Sequence, residues 1–260
     1  MGSSTCRPAL LLLCNLVGLA LVAAGVKEEA PFDLFLLVRQ YSPGYCQTTK
    51  CDRRAPPVSA FTLHGLWPEF DDGSFPQNCE TTQDPGPPPP KSAEMHCKWE
   101  SFKDPDPEFW DHEWVRHGTC AEPVLGNRPA YFNTTLDLDD KYDLDEAMAA
   151  AGITPSDSRT YAAKDVLNAV SDSFGAKPLL KCKSELLVEI WMCLSLDLKP
   201  IPCPPGVAVK PQSRCGKEVK LPEGEPVAAA CGKFFPPPGQ ASKRADLVQG
   251  AGSGIATAAA

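Results

Sequence analysis

The sequence predicts an α+β domain held together by disulfides, and three observations carry that expectation. Strand-like and helix-like stretches follow one another as strand, helices, strands, without the regular alternation of a doubly wound sheet. The 260 residues are 43% hydrophobic and 22% charged, enough for one core plus appendages. Twelve cysteines are too many for an ordinary cytosolic enzyme without metals.

Arg7, the apolar run Ala9 to Ala24 and the small residues Ala23, Ala24 and Gly25 read as a secretory signal peptide over residues 1–24. The apolar run is short for a membrane span of about 20 residues, and no later segment is apolar enough to cross a bilayer. Losing the leader removes Cys6 and Cys14 and leaves ten cysteines, an even count that reads as disulfides in an oxidising compartment. It also removes Arg7 and no acid, taking the formal charge from -8 to -9. The domain is expected over residues 25–235. Phe32 to Gln40 is a buried strand, and Phe61 to Leu66 a second, ended by Trp67-Pro68. Asp84 to Pro90, DPGPPPP, is a loop, because proline supplies no ladder N–H. Asp106 as N-cap and Pro107 in the first turn predict a helix through His117, stopped by Gly118. Leu144 to Ala151 and Thr160 to Phe174 are helices closed by Gly152 and Gly175. Leu186 to Leu198 suggests strands, and residues 236–260 a flexible Pro/Gly/Ala-rich tail. Asn133-Thr134-Thr135 is an N-glycosylation acceptor that the secretory route makes usable.

The acidic balance argues against non-specific coating of nucleic acid, which needs many Lys and Arg contacts, but leaves room for a local phosphate pocket. Three of the four histidines lie in two short segments, Phe61 to Glu69 (FTLHGLWPE) and His112 to Cys120 (HEWVRHGTC). On an α-helix, His117 lies about 40° one way from Glu113, Arg116 about 60° and His112 about 100° the other way. A stripe of two imidazoles, a carboxylate and a guanidinium is either solvated surface or a site. Zinc fits poorly: the two histidines are at i and i+5, not i and i+4, and Arg116 would stand beside the metal. A Ser or Cys nucleophile fits poorly too, with the cysteines expected oxidised and no Gly-x-Ser-x-Gly elbow. Acid–base chemistry on a phosphodiester fits best: histidine titrates near neutral pH, and Arg116 offers a planar donor fork to phosphate oxygens.

Both segments resemble the two active-site signatures of the ribonuclease T2 family, in the expected order: His64 to Pro68 (HGLWP) and His112 to Cys120, over a resemblance spanning roughly Pro31 to Pro222. The resemblance implies a single α+β domain with a central antiparallel sheet packed with helices, and a secreted, vacuolar or lysosomal endoribonuclease without cofactor or metal. It implies catalytic roles for His64 (general acid), Glu113 and His117 (general base on the 2′-OH), and phosphate binding by His112 and Arg116. Arg116 stands where the family usually has Lys. Trp67 corresponds to a residue that stacks on a base, Glu69 sits where an Asp often contacts that base, and Gln40 aligns with a contact to a second base. The nucleophile belongs to RNA, so DNA is not a substrate. The resemblance also implies the pairs Cys46–Cys51, Cys79–Cys120, Cys193–Cys203 and Cys182–Cys215, leaving Cys97 and Cys231. A monomer without stable membrane association is expected, and His96 is expected to be an ordinary loop residue. The competing expectation is a family member that has lost activity and serves in storage or recognition.

Overall fold

The computed structural model describes residues 31–52, 58–81, 84–208 and 215–235. The leader expected over residues 1–24 and the tail expected over 236–260 lie outside these. The described elements are β1 (Leu34–Tyr41), α1 (Ser42–Thr48), β2 (Phe61–Glu69), α2 (Ala93–Lys98) and α3 (Asp106–Glu113). A π-helical turn (Trp114–Gly118), α4 (Thr119–Leu125), α5 (Arg128–Lys141) and α6 (Leu144–Ala150) follow. Then come β3 (Tyr161–Ala162), α7 (Ala163–Phe174), β4 (Leu179–Lys183), β5 (Leu186–Leu194), α8 (Pro205–Ala208) and β6 (Glu218–Val219). Four strands form an antiparallel sheet in the order β2-β1-β5-β4, and β3 pairs with β6. The architecture is the α+β one expected, with the sheet antiparallel and helices packed against it.

β1 is buried on both faces, which is why its sequence LFLLVRQY shows no apolar/polar alternation. Phe35, Leu37 and Tyr41 enter the larger core, against Phe61, Leu63 and Leu66 of β2 and against Trp99, Tyr131, Val166 and Val170 of the helical layer. Leu34, Leu36 and Val38 point the other way, to Trp191, Cys193 and Val207. At about 1.5–3 kcal/mol for each fully buried large apolar side chain, the first face is the main source of stability.

Several boundaries differ from expectation, each for a physical reason. β2 does not stop at Trp67-Pro68 but runs to Glu69, with Pro68 opposite Phe35. It can do so because β2 is an edge strand, where proline's missing N–H costs no ladder bond. Asp106 is inside α3 rather than its cap; Pro105 holds that place, and the Asp106 carboxylate turns back to accept from Ser101 N at 2.7 Å. Gly118 does not end the helix: the chain passes through the π turn into α4, and Gly118 keeps an ordinary helical φ of -61°. A Cβ there would meet Trp114 Cε3 at 2.3 Å, so glycine is needed for the indole to lie against the backbone. His96 is not in a loop but on α2, with Nδ1 2.5 Å from Asp106 Oδ2. α7 starts later than expected because Tyr161 and Ala162 are drawn into pairing with Val219 and Glu218. Gly175 ends it in the left-handed conformation at φ 91°. α5 had no counterpart in the sequence reading, although Asn127 caps it by accepting from Ala130 N at 3.2 Å and Pro129 sits in its first turn.

Among the described residues five disulfides brace the structure: Cys46–Cys51, Cys79–Cys120, Cys97–Cys231, Cys182–Cys215 and Cys193–Cys203. Cys79–Cys120 ties the segment after β2 to the start of α4. Two hydrogen bonds reinforce the tie: Asn78 N donates to Arg116 O (3.0 Å) and Cys79 N to Thr119 Oγ1 (3.1 Å). The two segments that carry the histidines are thereby fixed relative to one another.

Candidate active site

Two local irregularities aim the histidines. In the β1–β2 ladder Val38 faces Gly65 and Arg39 faces Leu63, so His64 is the extra residue of a β-bulge. A bulge redirects a side chain that regular alternation would place elsewhere. The outer edge of β2 is held by the helices rather than by another strand: Trp99 Nε1 donates to His64 O (2.9 Å) and Tyr131 OH to Leu66 O (3.1 Å). The second irregularity is the π turn Trp114–Gly118. Its i→i+5 bonds put an extra residue into the turn, so the α-helical wheel over-rotates the residues beyond Trp114. In the resulting orientation the His117 ring lies stacked on Trp67, with centroids 4.9 Å apart and planes at 20°.

His64, Trp67, Glu69, Phe75, His112, Glu113, Arg116, His117, Lys181 and Trp191 line one cleft of about 450 Å³, within the range of small-ligand sites. Of the residues singled out from sequence, only Gln40 is not brought there. It lies at 8% exposure in β1, between Thr62 and Glu189 on the neighbouring strands. Glu69 is on the wall at 1% exposure. Trp67 Nε1 donates to Glu113 Oε2 at 2.8 Å, while one ring face meets His117. Gly65 makes this possible, since a Cβ there would come within 2.2 Å of Glu113 Oε2 and 2.4 Å of Trp67 Nε1.

Three cleft residues, Phe75, Lys181 and Trp191, and Glu189 behind His64 were missed by the sequence reading. Glu189 Oε1 is 2.7 Å from His64 Nδ1, and Glu189 Oε2 accepts from Trp191 Nε1 at 2.8 Å. Lys181 Nζ stands 3.9 Å over the Trp191 ring. Phe75 stays 40% exposed on the rim, 6.0 Å from the Arg116 guanidinium. Alternation in β4 and β5 is the signal that puts Lys181, Glu189 and Trp191 on one face, but no local motif marks them as functional.

The electrostatics separate the two histidines. Burial alone would lower the pKa of His64, but its hydrogen bond to Glu189 and the charges of Glu189 and Glu113 more than offset it, and the net shift is upward. Burial lowers that of His117 to about 3, helped by the positive neighbours Arg116, His64 and His112. His117 Nδ1 has no hydrogen-bond partner among the described residues, which suits a neutral ring. Burial raises Glu113 to about 7 against the opposing pull of His64 and the Trp67 N–H. For Glu189 burial is outweighed by His64, Trp191 and Lys181, so its carboxyl titrates below the usual range. Among the described residues no three His, Cys, Asp or Glu side chains are grouped to hold a metal ion, and no helix is long and apolar enough to cross a membrane.

A family model described as the ribonuclease T2 family matches residues 32–203. The chain belongs to the ribonuclease T2 family. Ribonuclease 1 of Arabidopsis thaliana is 32% identical over 228 residues, 82% of this chain and 96% of that protein. Extracellular ribonuclease LE of Solanum lycopersicum is 32% identical over 209 residues, 74% of this chain and 87% of that one. Among solved structures, RNase NT in complex with 5′-AMP shares the fold at a TM-score of 0.61 and 29% identity, covering 74% of this chain and 98% of its own. Membership supports a ribonuclease that degrades RNA.

Proposed function

We propose that this family member cleaves single-stranded RNA by transesterification, using His117 and His64 as base and acid. The observation that carries the reading is the opposite displacement of two histidines that meet at one indole, Trp67. Environments that push two titratable groups apart assign the acid and the base. Neutral His117 takes the 2′-OH proton, the 2′-oxygen attacks phosphorus, and protonated His64 delivers its proton to the departing 5′-oxygen. The product is a 2′,3′-cyclic phosphate, which hydrolyses to the 3′-phosphate with the two roles exchanged. Arg116 and His112, which line the same cleft, would neutralise the phosphoryl oxygens, and Glu113, above the usual carboxyl range, is suited to hold one of them by a hydrogen bond. Arg116 keeps the cation that the family's Lys supplies. For the base, exposed Phe75 is the more accessible ring surface, because His117 takes one face of Trp67.

His117 must be neutral, so activity is lost as pH falls toward about 3. His64 must be protonated, and its raised pKa carries activity above the ordinary imidazole value before it is lost. The profile is bell-shaped. The test is incubation of RNA and of DNA of the same sequence in excess EDTA across this range, with the products read by phosphorus NMR. Cyclic phosphates from RNA alone are expected; loss of cleavage in EDTA would assign the chemistry to a metal. Passage through the secretory route, to the cell exterior or a vacuole or lysosome, is part of the reading. It rests on the leader sequence, the disulfides and Asn133, which is exposed on α5.

A further inference from the structure

We infer that Glu189 is a positioning residue for the acid: its carboxylate, itself clamped by the Trp191 indole, fixes the His64 ring with Nδ1–H inward and Nε2–H toward the cleft. The proposal rests on the role given to His64 above and names a residue outside both signature segments. The geometry is that of a carboxylate–imidazole pair. His64 Nδ1 lies 2.7 Å from Glu189 Oε1, and the other carboxylate oxygen accepts from Trp191 Nε1 at 2.8 Å. His64 Nε2 faces Glu113, 3.9 Å away. The sheet fixes Glu189 laterally: it pairs with Gln40 on β1, and Gln40 pairs with Thr62, two residues before His64.

Two consequences follow. An imidazole bonded at Nδ1 to a carboxylate has its tautomer and ring orientation set, so the proton offered to the leaving oxygen is always the one on Nε2. The same carboxylate favours the imidazolium, which offsets the burial of His64 and keeps the acid charged. The charged and titratable groups facing His64 are Glu189 from β5, Glu113 from α3, Lys103 from the segment before α3, and His117 from the π turn. Lys181, across the ladder on β4, faces Glu189 and helps hold it ionised. The two carboxylates therefore differ in role. Glu189 stays ionised behind His64, and Glu113 sits at about 7 on the substrate side.

The test is Glu189→Gln, made both alone and with Trp191→Phe so that the amide oxygen is left for His64. Two readouts are needed. The alkaline limb of kcat/KM on a dinucleoside monophosphate, read against each variant's own plateau, is expected to move down by about one pH unit or more, the size of a lost neighbouring charge. The titration midpoint of the His64 ring, followed by carbon-13 NMR without substrate, is expected to fall by the same amount. A uniform loss of rate at every pH with an unmoved His64 midpoint overturns the proposal and makes Glu189 merely structural. Wild-type protein that cleaves no RNA would contradict the ribonuclease reading instead, and the NMR midpoint would still decide whether Glu189 governs His64.

Discussion

The two faces of the central sheet both bury charge, and they treat it in opposite ways. On the helical face, Arg39 at 2% exposure is 2.7 Å from Asp139, and Lys98, also buried, is 2.7 Å from the same carboxylate and reaches Asp140 as well. Arg39 also donates to Phe61 O at 3.1 Å. There the cations answer the carboxylates of the cluster, while Asp145 beside it, which accepts from Phe61 N, is raised by burial to about 7. On the cleft face the partners are imidazoles and carboxylates, with Glu113 raised to about 7 and His117 lowered to about 3. Charge on the first face is paired with opposite charge inside the packing; on the second, imidazoles and carboxylates line an open cleft. Mutations on the two faces should therefore be felt in different measurements.

Truncating the cleft face should cost rate and spare the fold. His117→Ala and His64→Ala are each expected to lower kcat on RNA by about 10²–10⁴-fold, the usual worth of a positioned acid or base. Their denaturant midpoints should stay close to wild type. A cleavage rate that survives either change would break the assignment. Asp139→Asn is the mirror experiment. Removing one partner of a buried ion cluster is expected to cost about 3–5 kcal/mol in urea unfolding, with kcat per folded molecule unchanged. Next in size is Gly65→Ala, whose methyl would collide with the Glu113 carboxylate and the Trp67 indole. Mispositioning of this kind is expected to lower kcat/KM by about 10–100-fold, detectable in steady-state kinetics, with a smaller change in Tm. The smallest effect is expected from Arg116→Lys: both are cations, so kcat/KM should change by less than about tenfold. A rate rise of many orders of magnitude would show that the arginine had disabled the protein.

Much of the cleft was legible in the sequence because its chemistry is concentrated in two short runs, FTLHGLWPE and HEWVRHGTC. What those runs do not encode is non-local or irregular. Glu189 reaches His64 across 125 residues of chain, and only the strand order β2-β1-β5-β4 brings β5 near β2. The bulge at His64 and the π turn at Trp114–Gly118 break the periods of two and 3.6 on which a pattern reading depends. A helical wheel grouped the right residues but not in the orientation they take. Gly118 reads as a helix stop by composition, yet it serves the packing of Trp114. α5 escaped notice because its face is interrupted by Asn133-Thr134-Thr135, and its start signals, Asn127 and Pro129, lie beside a loop. The strands β1 and β2 were found because their apolar runs are buried nearly throughout.

The proposed acid and base roles need one pair of histidines in opposite protonation states within one cleft. The most direct measurement is a carbon-13 NMR titration of both imidazoles in the same wild-type sample without substrate. His64 is expected to titrate above the ordinary imidazole value, while His117 stays neutral down to about 3. At pH 5 one ring should be charged and the other not. Two rings titrating together, or His117 above His64, would contradict the assignment of base and acid.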